Sequence, residues 1–272
     1  MAEWRIFAHR GARAHAPENT WPALVAALQS GAHGWEGDVR LTRDHVPVVV
    51  HDNHLARTSD WAFGETGKTP WISRHTYAEL LALDFGAWFA REDPFATIRS
   101  GEVGPAEIAA FSGTRVVSLS NALAFAAAHT FYSNIEIKDH YGQFADEAVV
   151  TAVLAAVAES GIAPELVLFS SFRSAYLKML ARRSPAVDRA LLVARPLIDP
   201  VPWLRRLAAK AYHPRRDCLA AEDVPRLREA GVDVHIYTVN DMAEARQWHA
   251  AGANGIFTDY PRQMVAAFAD VP

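Results

Sequence analysis

The chain has 272 residues, 50% of them apolar and 21% charged, with 27 basic against 31 acidic residues, a formal net charge of -4 and one cysteine. That apolar fraction excludes an intrinsically disordered chain, and at about 100 to 200 residues per domain the length suits one large domain or two small ones. The mildly acidic balance excludes a protein that coats nucleic acid or an anionic membrane, so any bound anion must be attracted locally.

Taken from the N-terminus, residues 1–10 hold no apolar run behind a basic stretch, so no secretory signal is visible. The longest apolar run, residues 149–158 with only Thr151 interrupting it, falls far short of the roughly 20 residues that span a bilayer. Cys218, the single cysteine, cannot form an internal disulfide. A soluble, cytoplasmic chain without stable membrane insertion is expected.

Short β-branched or aromatic runs alternate with Ala/Leu-rich stretches, the pattern of repeated βα units around a parallel sheet. The strand-like segments are residues 5–9, 35–42, 47–51, 132–138, 166–170, 190–194, 211–213, 234–240 and 255–258. Between Thr42 and Pro47 stand only Arg43, Asp44, His45 and Val46. A parallel crossover needs a dozen or more residues, so this pair predicts an antiparallel hairpin. Setting its return strand aside leaves eight segments, the count of a (β/α)8 TIM barrel, whose usual length is about 250 residues. An open doubly wound sheet is the alternative.

Helices are expected over residues 20–30, 144–160 and 221–230, each ending at a glycine, Gly31, Gly161 and Gly231. Residues 87–114 contain Pro94, Pro105, Gly101, Gly104 and Gly113 without clear periodicity. They read as an insertion above a single barrel domain spanning 1–272. Residues 62–69 nearly match a phosphate-binding P-loop, but Ala62 replaces the first glycine and Pro70 stands where a helix would begin, so a turn is the better reading.

A barrel builds its active site at the C-terminal ends of its strands. Of 12 histidines, His9 closes the first strand and His51 the hairpin's return strand. Glu36 and Asp38 lie two apart and share one face, as do Glu136 and Lys138. With the turn near Asp44 and His45, the hairpin register brings His51 across from about Asp38. Read alone, Glu36 and Asp38 suit an exposed edge equally well. Taken together, Glu36, Asp38 and Glu136 describe an all-oxygen site of the kind preferred by hard cations such as Mg²⁺ or Ca²⁺, with Arg10 and Lys138 as donors to an anion.

The ordered set His9-Arg10-Gly11, Pro17-Glu18-Asn19-Thr20, Glu36-Gly37-Asp38, Pro47 through Asp52, Asn134 through Lys138, Ser170-Ser171-Phe172, Tyr237-Thr238-Val239-Asn240 and Gly255 through Pro261 closely resembles the glycerophosphodiester phosphodiesterase family. The resemblance implies a TIM barrel that uses a divalent cation to hydrolyse a small glycerophosphodiester to glycerol 3-phosphate and an alcohol. It assigns acid/base roles to His9 and His51, metal binding to Glu36, Asp38 and Glu136, and phosphate contacts to Arg10 and Lys138. Glu18 and Asn19 match a family motif as well, although capping of the helix from Thr20 explains them about as well; Tyr237, at a position where the family commonly has a tryptophan, is a further candidate site residue. Val117 through Asn121, Tyr237 and Asn254 depart from the usual family residues.

Three other functions are compatible with parts of the sequence. Lysophospholipase D type hydrolysis would need an apolar groove, which Trp61, Trp71, Trp88 and Phe89 could supply. A non-catalytic barrel could bind a phosphate-containing metabolite, and a metal-free glycosidase could use two carboxylates.

Overall fold

The structure, a computed structural model, describes residues 4–62 and 69–269. Residues 63–68, the middle of the P-loop-like segment, lie outside the described residues. Strands form where the sequence clusters β-branched and apolar residues: β1 (Arg5–Ala8), β2 (Gly34–Leu41), β3 (Pro47–Val49), β4 (Tyr132–Ile137), β5 (Val167–Ser171), β6 (Asp188–Val193), β7 (Ala211–Pro214), β8 (Asp233–Ile236) and β9 (Gly255–Thr258). Helices α1 (Trp21–Gln29), α2 (Tyr77–Leu80), α3 (Ala87–Glu92), α4 (Pro105–Phe111), α5 (Leu119–Ala128) and α6 (Asp146–Ser160) fill the first connections. Then come α7 (Ser174–Arg183), α8 (Val201–Leu207), α9 (Val224–Glu229), α10 (Met242–Ala250) and α11 (Pro261–Phe268).

Pairing runs β1-β9-β8-β7-β6-β5-β4-β2, and β1 also pairs with β2, so the parallel strands close into a TIM barrel with helices between them. Every position of β2 is buried, as a strand needs when helices cover one face and barrel interior the other. β2 also carries β3 outside the ring. Gly34 and Trp35 pair with Phe7 and Ala8 at its start, and Val39 to Leu41 pair with β3 beyond the end of β1.

The hairpin is antiparallel, as its four-residue connection requires, but its register differs by one residue from the sequence expectation. Val50 donates to the Asp38 carbonyl at 2.8 Å, so Val50, not His51, lies opposite Asp38. The turn is centred on Asp44 because the Thr42 hydroxyl bonds Asp44 Oδ1 at 2.6 Å and accepts from the Val46 amide at 2.9 Å. Helix boundaries follow the glycine stops: α6 ends where Gly161 takes φ +67, a left-handed conformation a side chain would strain. Residues 221–230 begin instead as a single 3-10 turn, Ala221–Asp223, before α9.

Between β3 and α5 the chain builds two small apolar clusters of its own. Val48, Val50, Leu55, Ile72, Leu80 and Phe85 pack in one, and Trp88, Phe89, Val103 and Phe111 pack against Ala16 and Ala23 in the other. The second cluster is tied down over the ends of β1 and β9. The Thr97 hydroxyl donates to the Ala14 carbonyl at 2.6 Å, Gln263 reaches Glu102 at 3.0 Å, and Phe95 meets Tyr260 edge-on at 5.8 Å.

The barrel interior below the site contains a buried pair, His213 on β7 and His235 on β8, with Nε2 and Nδ1 2.9 Å apart. Phe257 lies 5.0 Å from the His213 ring and Phe7 5.1 Å from that of His235. Burial pushes His213 well below the ordinary imidazole value and His235 to about 3, so both rings are neutral near pH 7. The unfolded chain binds protons that these rings refuse, so their contribution is intact above about pH 6.5 and is lost as pH falls toward the folded values. Each ring should cost about 1.4 kcal/mol per pH unit across that window. Urea midpoints measured from pH 7 to 4 should fall less steeply in the double variant His213→Leu/His235→Leu than in the parent chain. Parallel pH dependences would overturn this account.

Candidate active site

At the C-terminal ends of the strands a cavity of about 180 Å³ opens between two chemically different walls. His9, Arg10, Glu36, His51, Glu136 and Lys138 form the charged wall, while Phe172, Leu192, Tyr237 and Phe257 dominate the other.

Strand register assembles the carboxylates. Asp38 on β2 stands directly beside Glu136 on β4, and Glu36 lies one pleat below Asp38 on the same face. All three are buried, which excludes the exposed-edge reading of Glu36 and Asp38. Oxygens from Glu36, Asp38 and Glu136 lie within 4.8 Å of one another. Burial, and the neighbouring Asp38 and Glu136 charges, push Glu36 well above the usual carboxylate range. Burial and Asp38 raise Glu136 too. Burial alone would also raise Asp38, but the Lys138 and Arg10 charges hold it well below that range.

The surroundings answer this crowding with cations and donors. Lys138 Nζ lies 2.7 Å from Glu136 Oε1 and 3.3 Å from Asp38 Oδ1. Arg10 takes φ 55, which turns its amide onto Glu36 Oε2 at 2.9 Å, while its Nε sits 3.3 Å from Asp38 Oδ2. Gly11 permits this sharp exit, because a Cβ there would stand 2.6 Å from the Ala23 backbone. Asn19 brackets Asp38, donating to Oδ2 at 2.9 Å and accepting from the Asp38 amide at 3.3 Å. Capping therefore explains neither Glu18 nor Asn19: Thr20 is the N-cap and makes no side-chain capping bond, and both side chains turn toward the charged cluster.

Each histidine is held by a carboxylate through Nδ1. His9 lies 2.7 Å from Asp259 Oδ1, and His51 2.6 Å from Asp52 Oδ1. A carboxylate only accepts, so Nδ1 carries the proton and Nε2 keeps its lone pair. Burial lowers His9 from its ordinary value. Burial alone would raise Asp259, but the hydrogen bond from His9 brings it to about 2. Asn240 fixes that carboxylate from the other side, donating to Oδ2 at 2.8 Å.

Asp259, Asn240 and Arg57 join the site only through the fold; the signals for the two histidine partners in the sequence are that Asp259 directly follows β9 and Asp52 directly follows His51. Of the aromatic residues considered for an apolar groove, Trp61, Trp88 and Phe89 are buried and Trp71 does not line the cavity. Tyr237 does line it, with its hydroxyl on the Val193 carbonyl at 2.8 Å.

The donor set fits a hard divalent cation. Oxygens bound to one Ca²⁺ lie at most about twice a 2.3–2.6 Å bond apart, a limit that the 4.8 Å spacing of this trio meets, whereas the shorter bonds of Mg²⁺ set a limit of about 4.2 Å. Glu136 Oε1 is buried without an aligned hydrogen bond, although the Lys138 ammonium lies nearby.

A closed parallel barrel with its ionisable cluster at the strand C-termini defines a TIM-barrel enzyme. The chain belongs to the glycerophosphoryl diester phosphodiesterase family, whose model matches residues 9–263, and is a phosphoric diester hydrolase with glycerophosphodiester phosphodiesterase activity. It is 30% identical over 265 residues to a glycerophosphodiester phosphodiesterase of Bacillus altitudinis, covering 96% of each chain. A solved Oleispira antarctica phosphodiesterase in complex with the product sn-glycerol-3-phosphate is similar at TM-score 0.82 and 25% identity, covering 98% of this chain and 97% of that one. A Silicibacter pomeroyi structure described as a putative glycerophosphoryl diester phosphodiesterase is similar at TM-score 0.85 and 27% identity, covering 99% and 94%. No helix among the described residues is long and apolar enough to cross a membrane.

Crowded carboxylates cost stability when nothing is bound between them. Glu36→Gln keeps an acceptor for the Arg10 amide and removes one charge, so in chelator at pH 7 it should unfold at a higher temperature than the parent chain. A lower midpoint would show that the crowding carries no cost.

Proposed function

We propose that the chain hydrolyses small glycerophosphodiesters, such as glycerophosphocholine or glycerophosphoethanolamine, to glycerol 3-phosphate and an alcohol with the help of Mg²⁺ or Ca²⁺. The observation that carries this reading is one cavity wall that presents Glu36, Glu136, two carboxylate-held imidazoles and two cations, with the buried Asp38 within 4.8 Å of both glutamates. The product held by the Oleispira relative supports the substrate class. The whole chain, residues 1–272, is read as one barrel domain with residues 87–114 inserted over its active face.

Glu36, Asp38 and Glu136 would hold the cation, which when bound neutralises charge on a phosphate oxygen. Arg10 and Lys138 line the cavity with N–H donors for the remaining phosphate oxygens. His9 takes a proton from the nucleophile at Nε2. Burial keeps this ring neutral and able to accept, and Asp259 stabilises the imidazolium that forms. His51 acts as the acid from its imidazolium form, protonated at both nitrogens: it gives the Nε2 proton to the departing alkoxide and returns to the Nδ1–H ring held by Asp52. Tyr237 shapes the alcohol side of the cavity. Burial of Trp61, Trp88 and Phe89 favours a short alcohol over an acyl chain.

The test is release of glycerol 3-phosphate from glycerophosphocholine, with and without chelator, compared with the corresponding lysolipid. Chelator should abolish turnover, and Mg²⁺ or Ca²⁺ should restore it. His9→Ala and His51→Ala should each lose about 10²- to 10⁴-fold in kcat. Full activity in chelator would remove the metal from the reading; unchanged turnover in folded histidine variants would remove the acid/base assignment.

A further inference from the structure

Glu18 lies on the link between β1 and α1 and does not line the cavity. It is nevertheless 5% exposed and is met by three guanidinium groups. Arg10 Nη1 donates at 2.9 Å, Arg57 at 3.1 and 2.6 Å, and Arg13 Nη2 stands 3.5 Å away. Burial alone would raise this carboxyl, but Arg10 and the other two arginines bring it to about 2, so it is an anion at every working pH.

Each of those arginines turns a second nitrogen to a different site carboxylate. Arg10 Nε is 3.3 Å from Asp38 of the acidic trio. Arg13 Nε is 3.7 Å from Asp259, which holds His9; these two contacts are ion pairs without an aligned hydrogen bond, whereas Arg57 Nε donates at 2.6 Å to Asp52, which holds His51. A guanidinium is a planar, rigid fork, so placing one edge fixes the direction of the other. Three cations would also repel one another without the anion at their centre.

We propose that Glu18 is a positioning residue that aligns both imidazoles and Asp38 through three guanidinium arms. This rests on the histidine roles given above. The arms are separable. A lysine ammonium carries its donors on a single atom and cannot span two carboxylates that lie on different edges of a guanidinium, so Arg57→Lys should release His51 alone and Arg13→Lys should release His9 alone.

Two-bond ¹H–¹⁵N spectra of the histidine side chains report the tautomer of each ring directly. In the parent chain both His9 and His51 should show a fixed Nδ1–H form. Glu18→Gln should average both, Arg57→Lys only His51, and Arg13→Lys only His9. With saturating Mg²⁺ and glycerophosphocholine, kcat should fall about 10- to 100-fold in each, the range typical of such outer partners, with KM within about twofold.

Unaltered histidine signals in Glu18→Gln, identical effects of the two lysine variants on both rings, or a kcat loss that only follows the unfolded fraction would each overturn the proposal. Should Glu18→Gln fail to fold, Arg57→Lys decides alone, because that side chain is 42% exposed and its replacement leaves the core intact. If His9→Ala and His51→Ala retain full turnover, the acid/base reading fails, whereas the spectra still judge the alignment.

Discussion

Mutual repulsion among Glu36, Asp38 and Glu136 is the constraint around which the rest of the site is built. Three carboxylates at one end of a barrel interior lose hydration and face like charge within a few ångströms. Lys138 bridges Asp38 and Glu136, Arg10 spans Glu36 and Asp38 by its backbone and side chain, and Asn19 donates to the Asp38 carboxylate and accepts from the Asp38 amide. These groups would each be costly to bury alone. Together they form a cluster whose remaining need is a compact positive charge.

From that cluster the compensation spreads outward. Arg10 is itself held by Glu18, and Glu18 by two further arginines that end on the carboxylates behind the histidines. Each histidine partner is therefore a carboxylate that is already ionised by its surroundings and cannot take the proton away from the ring. The opposite wall is apolar, with Phe172 meeting Tyr237 edge-on at 6.3 Å. A phosphodiester has a charged centre and two alcohol arms, and a cavity with one charged and one apolar wall suits that division.

Much of the architecture was legible because it rests on local patterns. Alternating β-branched and Ala/Leu-rich runs mark the strands, and a four-residue gap forces a hairpin where the other connections are crossovers. The side chains of Glu36 and Asp38 share a face by strand period alone. Harder to read were features that depend on one hydrogen bond. The hairpin register moved by a residue because the Thr42 hydroxyl closes the turn on Asp44 and Val46. Trp61, Trp88 and Phe89 look available for a greasy substrate as letters, yet they are buried in small clusters between β3 and α5.

The sequence by itself determined the strand order of the chemistry: which carboxylates share a face, which histidines close a strand, and which family the ordered motifs match. Those follow from a period of two and from adjacency along the chain. Only the tertiary structure decided that β1 closes onto both β2 and β9, which brings Asp259 against His9 across 250 positions of sequence. It also decided that Glu18 is the meeting point of Arg10, Arg13 and Arg57, and not a helix cap. Ring closure and long-range ion pairing depend on distances between segments that no local period encodes, so these partners became visible only when the barrel was closed.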